Sequence, residues 1–206
     1  MTTSLPTESL RKRPRVLHFT TYQPLALKER ESLTEYLRTP TVVPVKHTAE
    51  TLSALSATER TAYDDARRLY LSGGIVIDTA PVTEGKKLLL RAIHENSGRN
   101  SGHTGVMLTG PAAVGKTTTA KALMRWVFEA YTRQFPDWEK SDHVPVVYVE
   151  VPPRSTEKSL LKEFAGFFGT PSLKGESASH LRVKIASALR KANTQLIVVD
   201  ELHNRD

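Results

Sequence analysis

The stretch that decides the fold is residues 105–120, GVMLTGPAAVGKTTTA. It opens with the apolar run Val106, Met107 and Leu108, which predicts a short strand, and it closes with residues that favour a helix. Between these parts, GPAAVGKT fills the pattern G-x-x-x-x-G-K-[ST]. Strand, glycine-rich loop and helix in this order are typical of a P-loop, which binds the phosphates of a nucleotide.

The residue types of this loop suit an anion site. Gly110 and Gly115 have no Cβ, so the backbone can wrap a phosphate closely and present its N–H groups beside the positive end of the next helix. Lys116 is expected to reach the β- and γ-phosphates, and Thr117 to ligate Mg²⁺ through its hydroxyl. The alternative, a glycine turn that happens to carry a lysine, is disfavoured by the complete pattern. We therefore expect ATP and Mg²⁺ as cofactors, bound by Gly110, Pro111, Ala112, Ala113, Val114, Gly115, Lys116, Thr117 and Thr118.

A second motif lies at residues 195–201, where an apolar run ends in two acids. Asp200 is expected to hold Mg²⁺ through water, and Glu201 to polarise the water that attacks the γ-phosphate. Adjacent acids at a strand end could equally be a solvated turn, but the loop upstream favours a paired role. The predicted catalytic residues are Glu201 and Lys116, and the predicted metal ligands are Thr117 and Asp200. A water-activating glutamate favours an ATPase over a small-molecule kinase.

Composition bounds the class of protein. The 206 residues are 39% apolar and 25% charged, which is typical of a soluble globular protein. Without cysteine, neither a disulfide framework nor a cysteine zinc site is available, and the seven histidines lack metal-ligand spacing. No apolar run suggests a membrane span or a signal peptide, so we expect a cytoplasmic protein with no membrane partner. The net charge of +7 favours an anionic partner, with DNA first.

The pattern along the chain predicts an α/β fold in three parts. Residues 1–20 form a basic flexible arm, which either grips a phosphate backbone or is a solvated tail. Residues 21–100 form a helical N-terminal region, and residues 101–206 form the P-loop core, a parallel sheet flanked by helices. One helix is predicted to begin with a capping box at Ser56 and Glu59 and to close at Gly73 and Gly74. Other helices are expected at residues 24–37, 82–95, 117–135, 155–168 and 177–192, and buried strands at 144–151 and 195–201.

These motifs resemble those of AAA+ ATPases. The segments that carry the resemblance are GPAAVGKTT, VVYVEV and LIVVDELHN, and it extends over residues 50–206. Within the class, the chain is most similar to the TniB-like and TnsC-like ATPases of bacterial transposition, because LSATER followed by YDDAR looks like their leader. The resemblance implies an ATP-dependent regulator that assembles on DNA as a homo-oligomer and recruits or activates a transposase. It also implies that residues 75–82 lie near the adenine.

The resemblance further implies a sheet of order 5-1-4-3-2, of which this sequence would supply only the first three strands. The central strand 4, the sensor residue, the arginine finger and the helical lid would then be missing, so we expect the 206-residue chain to be incomplete for hydrolysis. Three functions remain open: an ATPase switch acting on DNA in transposition, a helicase loader or other replication-type ATPase, and a nucleotide-binding remnant that does not turn over.

Overall fold

The computed structural model describes residues 25–71 and 77–202. Within these ranges the chain folds into seven helices and two strands. They are, in chain order, α1 (Arg30–Arg38), α2 (Ala49–Ser53), α3 (Ala57–Leu69), α4 (Ala80–Ser97), α5 (Lys116–Gln134), β1 (Val146–Glu150), α6 (Glu157–Phe167), α7 (Ala178–Lys191) and β2 (Leu196–Asp200). Helices and a parallel strand pair agree with the predicted α/β class.

The two strands lie side by side and run parallel, in the register that sets Val146 opposite Leu196 and Glu150 opposite Asp200. Parallel neighbours need a long crossover, which α6 and α7 supply. Because side chains alternate along a strand, Tyr148, Glu150 and Asp200 project from the same face of this sheet. Both strands therefore bring their polar groups to one face at their carboxyl ends.

The core is centred on α5 and β1. Met124 and Val147 are completely buried in one apolar cluster, and β1 is buried along most of its length, as predicted. The N-terminal helix α1 adds Leu33 and Leu37 to the same cluster. The helix that follows the glycine-rich loop is therefore packed against the sheet, α1 and α4.

Several helices begin where the sequence predicts. The α3 capping box is present, with Glu59 N–H donating to Ser56 Oγ and Ser56 N–H donating to Glu59 Oε2. The α6 helix begins behind Thr156 and α7 behind Ser177, and each hydroxyl accepts a backbone N–H bond from the first turn. Such caps satisfy N–H groups that a helix cannot pair internally.

The predicted strand at Val106, Met107 and Leu108 is wrong, because the structure has no strand there. A strand needs a partner for its N–H and C=O groups, and neither β1 nor β2 pairs with this segment. Met107 is 74% exposed, so one side of the segment is open to solvent. The apolar composition predicted an extended segment but could not supply its neighbour.

Two other expectations need correction. The first helix begins at Arg30 rather than at residue 24, and residues 25–29 form a turn before it. The β2 strand is only partly buried, with Ile197 42% exposed, and β1 is the only strand beside it among the described residues. The short helix α2 was not expected at all.

Some expectations fall outside the described ranges. The basic arm at residues 1–20 and the glycine pair at residues 73–74 are among them. In the part of the chain that the structure describes, no helix has both the length and the apolar character needed to cross a membrane.

Candidate functional site

The loop from Gly110 to Gly115 has a backbone that requires its glycines. Gly110 has φ 147° and Gly115 has φ 87°, conformations in which an L side chain is strained. A Cβ added to Gly110 would lie only 3.2 Å from Val114 Cγ2. Ala113 is also left-handed, with φ 63°. The loop is therefore a sharp turn that lies exposed in front of α5.

The first turn of α5 has no side chain to satisfy its N–H groups. Its N-cap residue is Gly115, which gives no side-chain cap, and the first turn carries no acidic residue. Four other helices differ, because hydroxyl groups cap them: Thr48, Ser56, Thr156 and Ser177. The uncapped end keeps its partial positive charge, which an anion would neutralise.

Lys116 lies across this loop. Its Nζ donates to the carbonyl oxygens of Gly110 at 3.0 Å and Pro111 at 2.8 Å. The ammonium group is thus held against the backbone of the loop that precedes α5. A phosphate placed there would meet a cation and several backbone donors together.

The two sequence motifs meet through Thr117 and Asp200. Thr117 Oγ1 donates to Asp200 Oδ2 at 3.0 Å, although 83 residues separate them. Thr117 lies in the first turn of α5 and Asp200 is the last residue of β2, so the packing of this helix on the strand brings them together. The hydroxyl and carboxylate oxygens are therefore close enough to coordinate the same metal ion.

The Asp200 carboxylate is held by further contacts. Its Oδ1 accepts the backbone N–H of Glu201 at 2.9 Å, and its Oδ2 also accepts the hydroxyl of Tyr148 at 3.1 Å. The same hydroxyl lies 3.1 Å from Glu150 Oε1, and Glu150 Oε2 forms an ion pair with Lys28 Nζ at 3.0 Å. A continuous polar chain thus runs from the turn before α1 to the loop.

The electrostatics of this chain follow from burial and charge. Burial raises the pKa of Tyr148 far above its ordinary value, and the negative charges of Asp200 and Glu150 raise it further. The tyrosine is therefore protonated and can act as a donor at neutral pH. The hydrogen bond to Glu150 raises the pKa of Lys28, which keeps this lysine charged.

Glu201 follows Asp200 in a left-handed conformation, with φ 59°. Its side chain is exposed at the carboxyl end of β2.

The donor set fits Mg²⁺. A threonine hydroxyl and a carboxylate are hard oxygen ligands, and Mg²⁺ usually takes one or two protein carboxylates together with waters and phosphate oxygens. Across residues 25–71 and 77–202, no three acidic or histidine side chains converge as a metal site. A hydroxyl and a carboxylate beside a glycine-rich loop would suit a metal that enters together with a nucleotide.

A family model described as an AAA domain matches residues 97–205, just over half of the chain. The chain belongs to the AAA domain family. The matched range contains the glycine-rich loop, α5 and both strands of this AAA domain. AAA domains are nucleotide-binding ATPases, which in general bind ATP with Mg²⁺. No curated protein and no solved structure matches the chain.

Sequence reasoning missed three polar residues of the candidate site: Lys28, Tyr148 and Glu150. A signal for two of them was present, because VVYVE places Tyr148 and Glu150 two residues apart among valines. Alternation of this kind shows that one face of a strand meets polar groups. Lys28 had no such signal, because its pairing depends on how the N-terminal segment packs.

Proposed function

We propose that this chain binds Mg-ATP in the loop at residues 110–117 and acts as a nucleotide-controlled ATPase. The observation that carries the proposal is the 3.0 Å hydrogen bond between Thr117 Oγ1 and Asp200 Oδ2. It brings a hydroxyl from the loop and a carboxylate from a distant strand to one point. Packing alone does not require a polar pair at this position, whereas a shared cation does.

The residues of the loop would divide the work. The uncapped N–H groups of α5 and the backbone of residues 110–115 would hold phosphate oxygens, and Lys116 would exchange its bonds to the Gly110 and Pro111 carbonyls for bonds to phosphate. Thr117 and Asp200 would hold Mg²⁺, which when bound neutralises charge on the β- and γ-phosphates. Glu201 would orient and polarise a water molecule from the exposed side.

The proposal is tested by titrating the chain with a fluorescent ATP analogue at several Mg²⁺ concentrations. Lys116→Ala removes a charge-assisted contact and should weaken binding by about 1.5–3 kcal/mol. Asp200→Asn should instead raise the Mg²⁺ concentration at half-saturation by about 10-fold, with little change in binding without metal. Lys87→Ala, an exposed lysine of α4, is the matched control for the lost charge. Equal binding by wild type and Lys116→Ala would contradict the assignment.

We further propose that the chain is a DNA-associated regulator of transposition in the cytoplasm, which recruits or activates a transposase as part of a homo-oligomer. The support is the resemblance of its leader and motifs to TniB-like and TnsC-like ATPases, together with its net charge of +7. ATP bound at the loop would then set whether the chain assembles on DNA.

A retention assay tests this role. The chain is bound to DNA on beads with ATP, and a transposase encoded by a neighbouring gene is passed over it. The transposase should be retained by wild type with ATP, and not by Lys116→Ala. Retention of a replicative helicase in its place would favour the helicase-loader function, and no ATP dependence for either partner would contradict a nucleotide-controlled role.

A further inference from the structure

We propose that Tyr148 is a positioning residue. Its hydroxyl donates a hydrogen bond to the Asp200 carboxylate and so holds this carboxylate in place for metal binding. This role rests on the proposed function, because it presumes that Asp200 serves a metal. The starting observation is that Tyr148 is only 2% exposed. A buried hydroxyl must find a partner, and phenylalanine would fill the same space in a strand of valines without that need.

The hydroxyl has a choice of two acceptors. Tyr148 Oη lies 3.1 Å from Asp200 Oδ2 and 3.1 Å from Glu150 Oε1. A phenol carries one proton, so it can donate to only one carboxylate at a time. The register of the parallel pair explains the geometry, because Glu150 lies opposite Asp200 and Tyr148 is two residues earlier on the same face.

Lys28 decides between the two acceptors. Its Nζ lies 3.0 Å from Glu150 Oε2 and compensates the charge of that carboxylate. Among the described residues Asp200 forms no ion pair with a cationic side chain, so no neighbouring cation compensates its charge as Lys28 does for Glu150. The more negative acceptor attracts the proton more strongly. The Tyr148 hydroxyl therefore donates its hydrogen bond to Asp200, as long as Lys28 keeps its ion pair with Glu150.

The consequence falls on the metal ligand. The hydroxyls of Tyr148 and Thr117 both donate to Asp200 Oδ2, and the backbone N–H of Glu201 donates to Oδ1. These bonds fix Asp200 in the orientation that faces the loop. Partners that orient a ligating carboxylate typically contribute about 10- to 100-fold to metal affinity. Tyr148 would thus set the Mg²⁺ requirement of the site without touching metal or nucleotide.

The test is Tyr148→Phe, which keeps the ring in the core and removes only the hydroxyl. We expect its Mg²⁺ concentration at half-saturation, measured with the fluorescent ATP analogue, to rise by about 10-fold. Binding of the analogue in EDTA should stay as in wild type. The matched control is Tyr131→Phe, which removes another buried tyrosine hydroxyl, bonded to His143 and Asn193 away from the loop.

A second variant keeps the proposal testable if Tyr148→Phe folds poorly. Lys28→Met leaves Glu150 fully charged, so Glu150 should compete for the Tyr148 proton and raise the Mg²⁺ midpoint in the same direction. In the Tyr148→Phe background, Lys28→Met should cause no further rise in the Mg²⁺ midpoint, because the hydroxyl for which the two carboxylates compete is absent.

The outcomes separate the two proposals. If wild type fails to bind the analogue with Mg²⁺, the proposed function falls. If wild type binds and the Mg²⁺ midpoints of Tyr148→Phe and Lys28→Met equal that of wild type, the positioning role alone falls. A loss of affinity of the same size with and without Mg²⁺ would also overturn it, since that pattern indicates a merely structural effect.

Discussion

At the scale of single residues, Asp200 shows how a fold fixes a charge. Its two carboxylate oxygens accept hydrogen bonds from Thr117 on a helix, from Tyr148 on the neighbouring strand and from the backbone N–H of the next residue, Glu201. Three donors from different elements leave the carboxylate little freedom to rotate. A group held in this way is already in position, so less entropy is lost when a ligand binds.

One substitution tests the role in water activation that we propose for Glu201. Glu201→Gln keeps the size and exposure of the side chain but removes its ability to polarise water, so any phosphate release should fall at least about 100-fold. Binding of the fluorescent ATP analogue should change by less than about twofold, because Glu201 is assigned no phosphate contact. Phosphate release and analogue binding are measured on the same preparation. Release that survives the substitution would assign water activation to another group.

Much of the candidate site could be predicted from the sequence because its chemistry is local. The loop from Gly110 to Thr117 carries its spacing within eight residues, and each residue type has a direct reason in the binding of an anion. The parts that could not be predicted depend on register. Tyr148 reaches Asp200 only because β1 and β2 pair with Glu150 opposite Asp200, and no short segment of sequence specifies that alignment.

At the scale of elements, α1 shows that the N-terminal region and the P-loop core share one apolar cluster. Leu33 and Leu37 lie in it beside residues of α5, and the Arg125 side chain donates to the Tyr36 carbonyl at 2.9 Å. Two ion pairs, Arg30–Asp142 and Arg38–Glu139, join α1 to the segment after α5. The first helix thus helps to hold the helix that carries Lys116 and Thr117.

This packing predicts a large effect of a single truncation. Leu33 is 1% exposed, so Leu33→Ala should lower the free energy of unfolding by about 2–5 kcal/mol through lost burial and a cavity. Leu90→Ala on α4, where the side chain is 44% exposed, should change it by less than about 1 kcal/mol. Urea unfolding followed by circular dichroism compares the two variants. An equally small loss of unfolding free energy in both variants would mean that α1 does not contribute to the stability of the core.

The elements themselves were predictable to different degrees. The helices α6 and α7 have clear hydroxyl caps, α5 follows a complete glycine-rich loop, and β1 is a dense apolar run, and the structure places all four close to the predicted bounds. The segment at Val106 and Leu108 failed because a strand is defined by its partner, which hydrophobic composition does not report. Helices pair their own backbone, so the longer ones can be predicted from local sequence, whereas the five-residue helix α2 has too short a pattern to be recognised.

At the scale of the whole molecule, the positive charge is unevenly distributed. The connection between the strands, residues 151–195, carries eight Lys or Arg and three Asp or Glu. Residues 1–24 carry four Lys or Arg and one Glu. The rest of the chain is close to neutral. On α6, Lys158 and Lys162 are four residues apart and therefore lie on the same side of the helix. A DNA phosphate backbone would be attracted to these two parts of the chain rather than to the whole surface.

This distribution predicts how the proposed DNA binding would respond to salt. Affinity should fall steeply with salt and depend little on DNA sequence, and each phosphate contact removed should flatten the log–log slope by about 0.9. Deleting residues 1–20 and substituting Lys158 and Lys162 with Gln should each flatten the slope, measured by fluorescence anisotropy. The control exchanges the exposed Lys87 and Lys140 for Gln, which should leave it unchanged. An unchanged slope in both test variants would mean that neither segment contacts DNA.

The left-handed backbone of Glu201 would place the proposed water activation and thermal tolerance in competition. An L residue in this conformation costs about 1 kcal/mol or more relative to glycine, so the chain retains a carboxylate where its backbone prefers no side chain. A library of variants selected only for survival at high temperature should therefore accumulate glycine at position 201. Such a selection would enrich proteins that resist heat better and have lost the acid that follows Asp200, which makes position 201 one to hold constant in any directed evolution of this chain.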